Sequence, residues 1–329
     1  MNKNGMLVKL DVKDRKIIHQ LEINARQPIT IIGKKVGLKS DIVAYRIKRL
    51  EKEGILKSTI GYINFHKLGY IDFGVYISLR YNNQQKENSF VEYLKKHSNV
   101  SYFARTGGNY NFIVGILAKN SIALYPILKE IKNKFSDLID QFDIVTRISL
   151  KHFSRKYLIE VEDKEDLPYF GGDLEEISLD ALDKNILNYL AKEGRIKIID
   201  LSNQLNEAPS TIISRIKRLE KTRVITGYYA LLSPKKFGFQ VYNFLVKVGS
   251  TDECEDEKFT RFCEKHPHIT WLIKTLGSWD YEIGVEVENQ EKLQEIISEL
   301  RGNSSRLIKI DFLAIFDTLK YSQYPFRDA

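Results

Sequence analysis

The chain has 329 residues, with 51 basic and 43 acidic side chains, a net charge of +8 and an apolar share of 43%. This length predicts two or more domains, and the composition excludes a disordered chain. Only Cys254 and Cys263 are present, which excludes a disulfide-stabilised scaffold and an all-cysteine metal site. No 18-residue apolar run and no signal-peptide core are present, so we expect a cytoplasmic protein without a membrane partner.

The first 50 or so residues show the apolar periodicity of α-helices. Asp11, followed three residues later by Asp14, has the pattern of an N-cap with an acidic first turn. We predict three helices, at 11–22, 30–36 and 40–53.

The third helix is amphipathic. Val43, Ile47 and Leu50 stand at i, i+4 and i+7 and face a core, whereas the opposite face is polar and basic. Residues 55–63 are β-branched and contain glycine, which predicts a two-stranded wing after the helices.

The pattern then changes to period two. Phe73, Val75, Ile77 and Leu79 share one face of a strand. The order β-α-β-β-α-β that follows is typical of a ferredoxin-like domain. Its later elements are predicted as a helix near 88–97, strands near 100–106 and 111–118, a helix near 121–134 and a strand near 140–150.

The whole pattern occurs twice, 169 residues apart. RIKRLEK stands at 46–52 and again at 215–221, and residues 10–69 match 179–238 at 16 of 60 positions without a gap. The fold class is therefore α+β, with two winged helix-turn-helix domains alternating with two ferredoxin-like domains. The predicted segments are a winged helix-turn-helix at 1–66, a ferredoxin-like domain at 67–153, a linker at 154–178, a winged helix-turn-helix at 179–235 and a ferredoxin-like domain at 236–322.

Positive charge is concentrated in the helical units. Residues 1–66 hold 14 basic and 6 acidic side chains, residues 174–235 hold 10 and 8, and residues 236–329 hold 12 and 16. Basic third helices in such units predict binding to double-stranded DNA. The candidate DNA-binding residues are Ser40, Asp41, Ala44, Tyr45, Arg46, Lys48 and Arg49, together with Ser210, Thr211, Ser214, Arg215, Lys217 and Arg218.

Two alternatives stay open for these residues. RIKRLEK is also compatible with a solvated helix face that binds nothing. Arg46 and Arg215 adjoin the core residues Ile47 and Ile216, so a role in bracing the fold is the second alternative for this pair.

The ordered motifs resemble the Lrp/AsnC family of transcription regulators. The motifs that carry the resemblance are LDVKDRKII at 10–18, RIKRLEKEGIL at 46–56, HKLGY at 66–70 and TGGNYNF at 106–112, with LDALDKNIL, RIKRLEKTRVI, KKFGF and TLGSWDY in the second copy. The resemblance implies a winged helix-turn-helix followed by a ligand-sensing domain called RAM. Members of the family pair through RAM domains, so one chain is expected to act as a pseudo-dimer. Homo-oligomers through RAM domains and an amino-acid effector are further implied partners.

The resemblance also implies an effector site beside the turn between the second and third RAM strands. The corresponding residues are Gly108, Tyr110 and Asn111 in the first copy and Gly277, Trp279 and Asp280 in the second. Asp280 is the acid that would receive an α-ammonium group, and Asn111 replaces it in the first copy. The alternative is that these residues only shape a tight turn.

The two copies differ in three further respects. Lys39 and Ala208 stand where the family places a serine N-cap, and Arg223 replaces the wing glycine found at Gly54. Tyr45 and Ser214 occupy equivalent exposed positions, so the two units are expected to read different half-sites.

One enzyme class is the alternative function. Siroheme decarboxylases are similar to this family in fold, and their resemblance to this chain includes Tyr110, Asn111 and Phe112. Arg105 is present beside that stretch, but Gly107 and Gly108 stand where a histidine would be sought. A protein-interaction scaffold is the third class. We predict no catalytic residue, no cofactor and no metal site, and we interpret the pair His266 and His268 as part of a turn.

Overall fold

A computed structural model describes residues 7–80, 84–160, 167–250, 252–303 and 306–324. Among the helices of these ranges, none combines the length and the hydrophobicity needed to traverse a bilayer.

The first half contains α1 Val12–Ile23, α2 Ile29–Val36, α3 Ser40–Lys52, β1 Leu56–Ile63, β2 Ile71–Leu79, α4 Gln84–Lys96, β3 Val100–Gly107, β4 Phe112–Ala118, α5 Ser121–Lys134 and β5 Ile139–His152. A short strand, β6 Tyr169–Phe170, lies in the connection. The second half contains α6 Ala181–Leu190, α7 Ile198–Leu205, α8 Pro209–Lys221, β7 Ile225–Leu232, β8 Gln240–Val248, α9 Glu253–Lys265, β9 Ile269–Leu276, β10 Tyr281–Val287, α10 Gln290–Asn303 and β11 Leu307–Tyr321. The α+β fold class, with two helix-turn-helix heads and two ferredoxin-like domains, is confirmed.

Aspartates begin the first helix of each head. Asp11 accepts a hydrogen bond from the backbone N–H of Asp14, whose carboxylate accepts from the backbone N–H of Asp11. Asp180 and Asp183 form the same reciprocal pair. Each pair satisfies two donors that a helix start leaves without an intrahelical partner.

The third helices begin without a side-chain cap. Their N-cap residues are Lys39 and Ala208, as the sequence predicted, and neither side chain caps the helix. After each helix the backbone turns through a left-handed residue, which is Gly54 at φ +72° in the first head and Arg223 at φ +59° in the second. Arg223 therefore adopts a conformation that costs a non-glycine residue free energy.

The wing differs from the sequence prediction. Residues 55–63 do not form a two-stranded wing of their own; they form the single strand β1, which pairs antiparallel with β7 of the other head. The physical reason is that a short apolar strand needs a partner, and the duplicated copy supplies one. The two heads are thus joined by a two-stranded sheet.

Exchanged backbone contacts strengthen that joint. Arg26 of the first head donates a hydrogen bond to the backbone carbonyl of Gly194 at 2.5 Å, and Arg195 of the second head donates to the carbonyl of Ala25 at 2.5 Å. The two contacts are related by the 169-residue repeat, so the heads meet around a pseudo-two-fold axis.

The two RAM sheets form one closed barrel. Strands β2, β4, β3, β11, β8, β10, β9 and β5 are hydrogen-bonded in that order, and β5 pairs again with β2. The sheets join at their edges, through β3 with β11 and through β5 with β9. Every barrel strand therefore has a neighbour on both sides, and no open strand edge is left among these eight strands for pairing with another chain. A homo-oligomer stays a prediction that needs another surface.

Strand alternation separates two kinds of core. Phe73, Val75 and Ile77 of β2 pack outward with side chains of α4 and α5. Tyr76 alternates with them and packs inside the barrel with Trp279. The interior is narrow because the indole of Trp271 crosses it where Gly284 has no side chain; a Cβ at Gly284 would lie 2.1 Å from that ring.

The connection between the halves is packed against the protein at residues 153–155 and 167–171, whereas residues 172–176 are exposed. Phe170 is buried, and β6 pairs with the end of β5. Arg155 is also buried and binds Glu22 of the first head and Glu286 of the second RAM domain. The predicted boundaries of the linker, 154 and 178, stay a prediction, and residues 161–166 within it lie outside the described ranges.

Candidate nucleic-acid interface

The third helices present the polar face that the sequence predicted. Val43, Ile47 and Leu50 of α3 are buried, as are Ile212, Ile216 and Leu219 of α8. The predicted DNA-binding residues lie on the remaining face. Ser40, Asp41, Tyr45, Lys48, Ser210, Ser214, Lys217 and Arg218 are exposed, and Ala44, Arg46, Arg49, Thr211 and Arg215 are half-buried.

The arginines of α3 bind the capping aspartates of α1. Arg46 donates to Asp11 and to Asp14, both at 2.7 Å, and Arg49 also donates to Asp14. The carboxylate of Asp14 is 1% exposed, so it depends on these donors for its hydrogen bonds. The hydrogen bonds that Arg46 donates to Asp11 and Asp14 raise the pKa of Arg46.

The second head repeats this network. Arg215 donates to Asp180 at 2.6 Å and more distantly to Asp183, and Arg218 donates to Asp183. A hydrogen bond from the backbone of Asp183 and the contact with Arg215 lower the pKa of Asp180. The four arginines therefore attach the third helix of each head to the first, which supports the bracing interpretation for Arg46 and Arg215.

Lysines and small polar residues complete the outer face. Lys48 in α3 and Lys217 in α8 are exposed and project from the same helices as the bracing arginines. Tyr45 is 67% exposed in the first head, where the second head has Ser214. The two faces share their arginines and lysines and differ at this position in the size of the exposed side chain.

The polar side chains of Asn111 and Asp280 in the predicted effector turns bind neighbouring strands, whereas the buried Nε1 of Trp279 has no hydrogen-bond partner among the described residues. Asn111 Oδ1 accepts a hydrogen bond from the backbone N–H of Leu79, and Asp280 Oδ2 accepts one from the backbone N–H of Val248, both at 2.8 Å. The second carboxylate oxygen of Asp280 faces Lys247 at 3.2 Å. These contacts are equivalent in the two copies and favour the geometric interpretation of the turns.

The other residues of the two predicted effector turns are held by backbone conformation, a hydrogen bond or a ring contact. Gly108 and Gly277 have φ of +122° and +149°, values that favour glycine. Tyr110 donates to Asp143 at 2.7 Å. The ring of Trp279 lies 4.6 Å from that of Tyr76 in the barrel interior.

The sequence did not reveal a buried polar cluster that joins the two RAM domains. Inside the barrel, Arg147 donates two hydrogen bonds to Glu282, at 3.0 and 2.9 Å, and one to Asp72 at 3.1 Å. All three side chains are buried. The available signal was the pair of glutamates, Glu282 and Glu286, that alternates with apolar residues in the strand YEIGVEV.

His266 and His268 make hydrogen bonds within the protein, and Cys263 is part of a core. His266 faces Glu299 at 2.9 Å, and His268 faces the backbone carbonyl of Glu286 at 2.7 Å. Cys263 is buried on α9, and burial raises the pKa of its thiol. Across the described part of the chain, no group of three or more potential ligands is arranged to hold a metal ion. Arg105 binds Glu87 and lies over the ring of Phe112.

Comparison with known proteins identifies the heads. The AsnC-type helix-turn-helix domain matches residues 10–51, and a winged helix-turn-helix DNA-binding domain matches residues 179–226. The HTH-type transcriptional regulator FL11 of Pyrococcus furiosus is 30% identical over 122 residues, which cover 36% of this chain and 78% of that protein. The leucine-responsive regulatory protein of Escherichia coli is 31% identical over 124 residues, covering 37% of this chain and 74% of the relative.

A solved structure resembles the whole chain. The siroheme decarboxylase NirDL has a TM-score of 0.62 and covers 96% of this chain and 94% of its own. Its complex with an iron-uroporphyrin III analogue gives a TM-score of 0.61, with 95% and 94% covered. Both are 12% identical in sequence, which shows a shared fold alone. With two helix-turn-helix matches and relatives that align over most of their own length, the chain belongs to the Lrp/AsnC family.

Proposed function

We propose that the chain is a sequence-specific DNA-binding transcription regulator in which a single polypeptide supplies both heads of a family dimer. The observation that carries the proposal is the repeated exposed polar face of α3 and α8, from which Lys48 and Lys217 project, on heads joined by the β1–β7 sheet. A fixed pair of heads is the arrangement that recognises two half-sites on one duplex.

The two heads contribute unequally in this proposal. Residues 1–66 have eight more basic than acidic side chains, whereas residues 174–235 have two more. Non-specific affinity depends on the number of phosphates that are neutralised, so the first head supplies the larger share. Because the first head has Tyr45 where the second has Ser214, the two heads prefer different bases, and the preferred site is an imperfect inverted repeat.

Selection of duplexes from a random pool, followed by titration of the full chain, tests the proposal. The expected result is a preferred imperfect inverted repeat, bound by one chain per duplex, with an affinity that falls steeply as salt rises. Absence of duplex binding at low salt would contradict it and would favour a protein-interaction scaffold.

A siroheme decarboxylase is the second candidate, and the whole-chain fold likeness to NirDL is the observation that favours it. Two features weigh against it. The exposed Lys48 and Lys217, which the bracing of the heads does not use, have no task in a porphyrin enzyme. The position where a histidine would be sought is Gly107, and a Cβ there would lie 2.4 Å from the exposed ring of Phe316, which a larger residue would have to displace.

The same preparation distinguishes the two candidates. Purified protein mixed with siroheme under reducing and anaerobic conditions should show neither a tight spectral shift nor release of carbon dioxide. Turnover of siroheme together with a lack of duplex binding would replace the regulator by the enzyme.

A further inference from the structure

One end of the barrel contains a partly open cavity of about 90 Å³. Residues of both RAM domains line it, together with side chains from β1 of the first head and from β6. Those on which its chemistry depends are Asp72, Arg147, His152, Asn243 and Glu282. The cavity is therefore shared by the duplicated halves and touches the sheet that joins the heads.

The charges in the cavity do not balance. Among the described residues of the lining, Arg147 supplies the one guanidinium, and it is bound by two carboxylates, those of Asp72 and Glu282. Three of its five N–H groups bind these carboxylates, and with both of them ionised its single positive charge faces two negative charges. Burial raises the pKa of Asp72, and the charge of Arg147 opposes that rise. A buried site with one more carboxylate than cation attracts a cation and repels an anion.

Several polar atoms in the lining have no protein partner among the described residues. They are Asp72 Oδ1, Asn243 Oδ1 and both ring nitrogens of His152. The three side chains are 4%, 2% and 7% exposed, so bulk water does not solvate them freely. Such atoms cost free energy unless something in the cavity satisfies them.

Burial sets the protonation of His152. Burial, with a contribution from Arg155, lowers the pKa of His152 to about 3, so the ring is neutral near pH 7. A neutral imidazole offers one acceptor and one donor. With Asp72 Oδ1 and Asn243 Oδ1, the residues that line the cavity hold three acceptors without a protein partner, and three is the number of N–H donors of a primary ammonium group.

The fold itself does not require these groups. In the first RAM domain Asp72 pairs with Leu117, and in the second Val241 pairs with Glu286. Val241 is therefore the counterpart of Asp72 in the second copy. By the same registers and the 169-residue offset, Ile113 is the counterpart of Glu282 and Gly74 that of Asn243. The duplicated barrel therefore closes with uncharged residues at these counterpart positions.

We propose that this cavity binds a small organic cation that carries a primary ammonium group. Asp72 and Asn243 accept its N–H groups, His152 contributes the third acceptor, and the aromatic walls, which include Tyr62, Tyr102 and Trp271, contact the cation and its short carbon chain. A cavity of about 150 Å³ holds benzene, so the smaller volume of this cavity limits the ligand to a few heavy atoms.

The position of the cavity suggests regulation of the heads. Tyr62 lies on β1, where it pairs with Gly227 of the other head, and it lines the cavity through a fully buried side chain. A ligand that contacts Tyr62 can bias how the heads are held. This regulatory step rests on the proposed function, whereas binding of the cation does not.

Calorimetric titration of the full chain with ethylammonium chloride tests the inference, with sodium chloride as the ionic-strength control and propionate and L-alanine as probes of other charge. The expected result is saturable binding of ethylammonium at one site per chain, with weaker or absent binding of propionate and L-alanine. Asp72→Asn should weaken binding about tenfold or more, because it removes the excess charge. Leu150→Phe, which fills the cavity without altering a charge, should abolish it.

The matched control is Asp140→Asn, which removes an exposed carboxylate that faces Arg80 in the same domain. Its affinity for ethylammonium should equal that of the wild type, and thermal unfolding shows which variants are folded. No binding to the folded wild type, equal affinity in a folded Asp72→Asn chain, or preference for propionate or L-alanine would overturn the inference. Because this titration contains no DNA, its failure and a failure of duplex binding are separate results.

Discussion

Arg46 in the third helix donates a hydrogen bond of 2.7 Å to Asp14, the buried capping residue of the first helix. Arg215 and Asp183 occupy the equivalent positions in the second head, with a longer contact of 3.4 Å. A motif that is basic throughout therefore divides its side chains between two roles. The arginines hold the helices together, and the lysines between them project outward.

Arg46→Ala should destabilise the chain by about 1–2 kcal/mol, because a buried carboxylate loses a charge-assisted hydrogen bond. Urea unfolding monitored by circular dichroism measures the change. Lys48→Ala, on the exposed face of the same helix, is the matched control and should alter stability by less than about 0.5 kcal/mol. Equal losses for the two variants would show that Arg46 does not brace the head.

Exchanging the exposed residues of the third helices should alter sequence preference on one half-site at a time. Tyr45→Ser makes the first head resemble the second at this position, so the selected site should become more symmetric. Selection from a random duplex pool with wild type and variant measures this, and half-site centres are expected about 34 Å or a multiple apart. If the selected sites of the two proteins are identical, Tyr45 does not read bases.

Asp280→Asn should leave stability nearly unchanged, because an amide oxygen accepts the backbone hydrogen bond from Val248 as Asn111 does from Leu79. Asp280→Ala removes the acceptor and should cost about 1–2 kcal/mol. Thermal unfolding compares the two variants. An amino acid that shifts duplex affinity in the wild type but not in Asp280→Asn would restore the effector role of this turn.

His152 makes stability depend on pH. Burial lowers its pKa from 6.5 to about 3 in the folded chain, so only the unfolded chain takes up this proton between those values. The stability that is present above pH 6.5 is therefore lost as the pH falls toward 3, by about 1.4 kcal/mol per pH unit for one proton. Urea unfolding of the wild type and of His152→Gln between pH 7 and pH 4.5 checks this. The variant should show a shallower pH dependence, and parallel curves would mean that His152 titrates normally.

The local elements could be predicted because their signals are local. The Asp11 and Asp14 capping pair, the buried stripe of α3 and the alternation of β2 each depend on residues close together in the chain. The duplication then predicted the second copy of each element.

Pairing between the copies could not be predicted in the same way. Residues 55–63 indicate a strand, but nothing in them specifies β7 as the partner, because a strand pairs through its backbone. The closed barrel depends on β3 meeting β11 and β5 meeting β9, which no periodicity encodes. For the same reason the cluster of Asp72, Arg147 and Glu282 was missed, since its members are distant in sequence and meet only inside the barrel.

Binding of DNA by the third helices is tested by the salt dependence of duplex affinity for the wild type and for Lys48→Ala. Fluorescence anisotropy with a selected duplex gives the slope of log affinity against log salt concentration. We expect a steep slope that Lys48→Ala reduces by roughly 0.9, the value for one lost phosphate contact, and a smaller loss of low-salt affinity for Lys217→Ala in the less basic head. Lys95→Ala on α4, which removes the same charge far from the heads, should leave the slope unchanged. A flat slope in the wild type, or equal slopes for the wild type and Lys48→Ala, would contradict the assignment of the third helices to DNA.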